Sequence, residues 1–306
     1  MFTTRSEIGK IHWLRTMITL AFTVLAFAVG QAPLLAKLNS YAVLNSLSFE
    51  AAGKRIEDGG FGAVGIEPNM ALFLILIPFV FALAALLLSV RFIHKRPVLS
   101  VLTARARFDV GRVGFAALIW FLAAIPIVFL LIPQEAMVYQ FSVTRFLPLL
   151  GIALLLLPFQ VAAEEVLFRG YILQTVSRFF ARPIWPLLIV TVLFAAMHLS
   201  NPEFKQGFAA IAPAYFLLSF FLGVLTVLDN GLELPIGVHL GNNLFTAVVL
   251  STSDGAMNTA SVYQTTVAQL VDSLPIMLFA LVGISLVILQ VRYRFKWADI
   301  IKPTTS

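Results

Sequence analysis

Eight stretches of this chain are nearly unbroken apolar runs, with mixed or charged segments between them. They predict helices over about 11–35, 70–90, 113–132, 146–180, 183–199, 208–228, 234–250 and 271–291. All but the longer fourth run are close to the roughly 20 residues that a helix needs to cross the hydrocarbon of a bilayer. Ten-residue segments of alternating polarity do not occur, so the runs indicate helices and not the strands of an outer-membrane barrel. The first run passes Ala26-Phe-Ala28, which resembles a signal-peptide cleavage site, and continues to Leu34-Leu-Ala36. That continuation favours a retained helix. Residues 37–69 are mixed, and Gly59-Gly-Phe-Gly62 and Pro68 predict an irregular extramembrane loop there. Pro158 removes a backbone donor within the fourth run and predicts a kink. No internal repeat is visible, so the expected fold is one all-α domain over 1–306. It is a polytopic membrane bundle of about eight transmembrane helices, with its motif-bearing core at about 146–252.

Composition sharpens this picture. Of 306 residues, 60% are hydrophobic and 12% charged, and the mean hydropathy is +0.95. A soluble domain carries about twice that charge fraction. The net charge of +6 reflects loops held on the cytoplasmic side and is no argument for nucleic acid. Most Lys and Arg residues fall in 1–15, 91–112, 169–182 and 292–302. These segments share one face if both termini are cytoplasmic, which predicts an N-in, C-in protein of the cytoplasmic membrane. The chain has no cysteine. Disulfides, thiolate metal ligands and a cysteine nucleophile are therefore excluded.

Several polar residues interrupt the apolar runs. Glu164-Glu-Val-Leu-Phe-Arg169 places two carboxylates and a guanidinium in six residues, where each charge at membrane depth costs about 2.5–3.5 kcal/mol on insertion scales. Glu165 and Arg169 are four apart and can pair on one helical face. Glu164 is turned about 100° away and lacks that partner. Of the four histidines, His12 and His94 lie beside Arg and Lys at span boundaries, whereas His198 and His239 fall inside apolar helices. His239 and Asn243 share a face. All must point into the bundle, because lipid cannot solvate them.

A carboxylate in an apolar cavity can act as general base on water, and imidazole and carboxamide N–H groups can donate to a developing oxyanion. Such a set can hydrolyse an amide without a covalent intermediate. Glu164, His198 and His239 are equally a plausible zinc set with an open position for water. The same groups also suit a proton relay in a transporter, although matched broken helices are not evident. A scaffold or immunity protein without turnover is the other class. His-Glu-x-x-His, Gly-x-Ser-x-Gly and a paired-aspartate signature are all absent.

Three motifs stand in order: Glu164-Glu165-x-x-x-Arg169, Phe194-x-x-x-His198 and His239-x-x-x-Asn243. The set resembles the CAAX-processing and bacteriocin-processing (CPBP, or Abi) family of intramembrane proteases, which includes the type II CAAX prenyl endopeptidases. The resemblance implies that Glu164 activates water with help from His198. It implies that His239 and Asn243 stabilise the oxyanion and that Glu165 and Arg169 hold the site in shape. It further implies a glutamate-type endopeptidase without a cofactor, acting on a peptide or lipidated protein among membrane lipids. One feature resists simple helix geometry. Counted from the inner ends of their helices, Glu164 and His198 lie about 21–23 Å deep but His239 only about 8 Å. Tilt, a kink at Pro158 or a hairpin at Asp229-Asn-Gly231 dipping into the bundle would have to close that gap.

Overall fold

A computed structural model describes residues 1–10 and 12–303. The expected start of the first span, Ile11, lies outside the described residues. The chain is a helix bundle: α1 Trp13–Gly30, α2 Ala32–Leu44, α3 Phe49–Gly59, α4 Pro68–Leu88, α5 Val110–Leu131 and α6 Val143–Glu165. A π-helical segment, Val166–Ile172, follows directly on α6 and leads into α7, Leu173–Ser177. Then come α8 Ile184–Met197, α9 Phe204–Asp229, α10 Glu233–Val248, α11 Val267–Leu270 and α12 Leu274–Tyr293. Among the described residues, six helical segments are long and apolar enough to cross a membrane: Trp13–Gly30, Pro68–Ile93, Val110–Leu131, Val143–Ser177, Phe204–Asp229 and Leu274–Tyr293. This is a multi-pass integral membrane protein. The other two expected spans are shorter, with 14 residues in α8 and 16 in α10.

One expectation needs correction. Residues 37–69 are not an irregular loop. Most of the segment lies in α2 and α3, and Ser48 caps α3 by accepting from the Ala51 N–H. The fold also includes a small sheet of β1 Val138–Tyr139, β2 Leu250–Thr252 and β3 Tyr263–Thr265, in the order β1-β3-β2. β3 runs antiparallel to β1 and parallel to β2. Strands this short leave no alternation long enough to read in the sequence.

The core sits where α10 is enclosed by α5, α6 and α9. Gly237 and Gly241 lie one helical turn apart on the face of α10 toward α5. A Cβ at Gly237 would fall 2.4 Å from the Val113 carbonyl oxygen, and one at Gly241 would fall 2.5 Å from that of Ala117. Small residues at this spacing let two backbones approach closely. His239 is two residues from each glycine and thus projects from the opposite face, toward α6.

The start of α10 is also roofed. Asp229 and Glu233 are buried, and Arg105 reaches both, donating to Asp229 Oδ1 at 2.8 Å and Glu233 Oε2 at 3.0 Å. Arg112 pairs with Asp229 as well. The backbone of 102–104 joins this turn through Leu232 N–H to Leu102 O and Ala104 N–H to Asn230 O. The start of α10 is therefore buried beneath the segment before α5, and His239, near its helix start, reaches Glu165 of α6.

Candidate active site

The two carboxylates at the end of α6 have different surroundings. Glu165 is fully buried, and its Oε1 accepts from Arg169 Nη1 at 3.0 Å and from His239 Nδ1 at 2.8 Å. Arg169 Nη2 continues to Ser219 on α9, donating to Oγ at 2.8 Å and to the carbonyl oxygen at 3.1 Å. Its guanidinium also lies 4.2 Å from the centre of the Phe194 ring, a cation–π contact. Three helices and the π-helical segment are thus tied through one ion pair.

One residue of the π-helical segment makes a close backbone approach. A Cβ on Gly170 would sit 2.3 Å from the Val101 carbonyl oxygen, so only glycine permits this approach. Alpha helix continues through Pro148 and Pro158, and the departure from regular geometry begins only at Val166. π-Helical turns within α-helices occur often at functional sites.

Glu164 faces a less crowded space. Its Oε1 accepts from Gln160 Nε2 at 2.6 Å, while Oε2 is buried and without a hydrogen-bond partner among the described residues. His239 Nε2 lies 3.6 Å from Oε2. This is beyond hydrogen-bond distance. Since carboxylate Oε1 of Glu165 accepts from Nδ1, the second nitrogen of His239 is the one turned toward Glu164. Asn243, one turn along α10, donates from Nδ2 to Gln160 Oε1 at 2.9 Å. Glu164, Glu165, Arg169, His239 and Asn243 are therefore brought into one cluster.

His198 stands apart from it. It caps the C-terminal end of α8, its Nδ1 is 2.8 Å from the Phe194 carbonyl oxygen, and it forms no hydrogen bond or ion pair with either glutamate. A carbonyl only accepts, so Nδ1 carries the proton and Nε2 is left as an acceptor. Phe194 contacts both imidazoles, with ring centres 4.6 Å from His198 and 6.0 Å from His239. On its other side His198 packs against Tyr215, 4.9 Å between ring centres. Tyr215 in turn donates to Glu203, which also receives Asn201 Nδ2 at 3.1 Å.

The zinc arrangement of Glu164, His198 and His239 is not assembled. Among the described residues no group of three or more His, Asp or Glu is placed to hold a metal ion. The site as folded does not fit that cofactor. The other two histidines are structural: His12 caps α1, and His94 is buried against Thr19 and Tyr171.

Sequence reasoning missed Gln160, Ser219, Tyr215 and Glu203. Gln160 had a usable signal, being a carboxamide in an apolar run four residues before Glu164. Ser219 and Tyr215 had none, because hydroxyls are ordinary in such helices.

The fold and this polar cluster define a membrane-embedded helical bundle that encloses a buried acid, imidazole and carboxamide set. Residues 145–245 match the family described as Type II CAAX prenyl endopeptidase Rce1-like, and the chain carries a domain of that family. The matched segment spans every residue of the cluster. Over 192 residues the chain is 33% identical to the Bacillus subtilis (strain 168) protein named Uncharacterized protein YyaK. The similarity covers 62% of this chain and 64% of that protein. No solved structure matches.

Proposed function

We propose that this protein is an intramembrane glutamate-type endopeptidase of the CAAX prenyl endopeptidase kind. It hydrolyses a peptide bond in a membrane-associated protein or peptide, with prenylated chains as one substrate class. The observation that carries this reading is the unpartnered, buried Oε2 of Glu164, facing His239 Nε2. In the reaction, Glu164 takes a proton from water and the resulting hydroxide adds to the scissile carbonyl. Asn243 Nδ2 and a protonated His239 Nε2 donate to the oxyanion, while Glu165 balances the charge of that ring. The proton passes to the leaving amine as the C–N bond breaks. His198, with Nε2 as its acceptor nitrogen, assists this transfer. Glu165 and Arg169 hold His239 in place.

The reading takes 1–306 as one domain crossing the cytoplasmic membrane eight times, with α8 and α10 as short crossings and both termini inside. Purified full-length protein and a fluorogenic peptide library test it. Wild type is expected to cleave and Glu164→Ala to be inactive with an unchanged melting temperature. Cleavage by Glu164→Ala at the wild-type rate would sink the assignment.

A further inference from the structure

Gln160 joins the two ends of this site. It lies on α6, is only 6% exposed, and makes one hydrogen bond with each of its amide atoms. The orientation of that amide is not a free choice. An ionised carboxylate only accepts, so Gln160 must present Nε2 to Glu164, and its Oε1 then points the other way. An acceptor at that position requires a donor from Asn243, which fixes Nδ2 toward Gln160 and Oδ1 away from it. Asn243 Oδ1 accepts from Asn242 Nδ2 at 3.1 Å, which agrees with this polarity. One hydrogen of Asn243 Nδ2 is used by Gln160. The second remains on the same nitrogen.

We propose that Gln160 is a positioning residue that translates the charge on Glu164 into the orientation of the Asn243 amide. The base and the oxyanion donor are thereby set together. While Glu164 is ionised, Asn243 presents N–H and not C=O. Once Glu164 is protonated it can itself donate, and Gln160 is no longer held to one orientation. Gln160 also occupies Oε1 of Glu164 and leaves Oε2 as the oxygen available to water. The proposal rests on the hydrolase reading above.

Full-length Gln160→Met and Gln160→Glu variants, assayed by steady-state cleavage of the fluorogenic library, test it. Gln160→Met keeps side-chain length without hydrogen bonding, and its kcat is expected to fall roughly 10–100-fold at little change in KM. The double variant Gln160→Met/Asn243→Ala is expected to be no worse than Asn243→Ala alone, because one acts through the other. Gln160→Glu keeps both atoms in place only when one proton is shared with Glu164. It should therefore be active at acidic pH and lose activity as pH rises through neutrality, whereas wild type does not. This variant carries the test if Gln160→Met fails to fold. An inactive Glu164→Ala beside a fully active Gln160→Met, multiplying losses in the double variant, or a Gln160→Glu profile like that of wild type would each overturn the proposal. A wild-type chain that cleaves nothing sinks the hydrolase reading and this proposal together.

Discussion

Glu165 holds His239. The 2.8 Å contact between Oε1 and Nδ1 fixes the imidazole ring, and the same oxygen is anchored by Arg169. Removing the guanidinium leaves a carboxylate that is 0% exposed without its cation. Breaking a buried pair in this way costs about 3–5 kcal/mol. Arg169→Ala is therefore expected to lower the melting temperature and abolish cleavage together. Arg169→Lys should rescue little, because a single ammonium cannot reach both Glu165 and Ser219 in the geometry of the planar fork. A thermal scan beside the peptidase assay checks both, and full activity in Arg169→Ala would refute the supporting role.

Packing of α10 on α5 makes a separate prediction. Gly237→Ala or Gly241→Ala would force a methyl group to within 2.4 or 2.5 Å of a backbone carbonyl oxygen. Neither helix can yield without moving, so overpacking of this kind costs about 1–3 kcal/mol. The displacement also shifts His239 and Asn243 relative to α6. Both variants should melt earlier and cleave more slowly. Gly283→Ala, where nothing lies within 4 Å of the new Cβ, is the matching control and should behave as wild type.

Much of this site could be read in the sequence, because charge and imidazole are conspicuous in apolar runs. The i, i+4 pairing of Glu165 with Arg169 is local, and it survives even though the backbone turns π-helical between them. What could not be read was set by contacts distant along the chain. The start of α10 is buried where Arg105 and Arg112 pair with Asp229 and Glu233. In the sequence those arginines read only as charges on the cytoplasmic side. Gly170, within the π-helical segment, meets Val101, a contact that no periodicity reports. The family resemblance implied His198 beside Glu164, and helix counting puts both at the same depth. Depth does not fix rotation about the helix axis, and its ring turns instead to Phe194 and Tyr215.

Outside the membrane-spanning segments, His94 gives a pH dependence. Burial pushes its pKa below the ordinary 6.5, and nearby Arg96 and Arg15 push the same way against the raising effect of the Lys10 carbonyl. The ring is neutral when its nitrogens meet Lys10 O and the hydroxyls of Thr19 and Tyr171. Below pH 6.5 the unfolded chain binds a proton that the folded chain resists, so stability rises with pH through that window and falls on acidification. The contribution is complete above 6.5. Melting temperature should fall between about pH 7 and about pH 5 in wild type and fall less in His94→Gln. Equal slopes in the two proteins would exclude His94 as the cause.

The last prediction concerns how His198 is held. Its ring is enclosed by Phe194 and Tyr215, and Tyr215 is tied through its hydroxyl to Glu203. Glu203 Oε2 in turn accepts from the Ala256 N–H at 3.0 Å, so the turn after α8 is anchored to the β2–β3 connection. Tyr215→Phe keeps the ring and loses the hydrogen bond to charged Glu203, worth about 1.5–3 kcal/mol, together with the one accepted from Asn201 Nδ2. It should lower the melting temperature while leaving most of kcat. Tyr215→Leu removes the ring face itself and frees the imidazole. Its kcat should drop about 10-fold or more with KM little changed, approaching the loss in His198→Ala. Steady-state cleavage of one library peptide by the three variants decides the matter. Should Tyr215→Leu keep wild-type kcat while His198→Ala is inactive, Tyr215 does not position the ring, and the carbonyl of Phe194 alone must fix it.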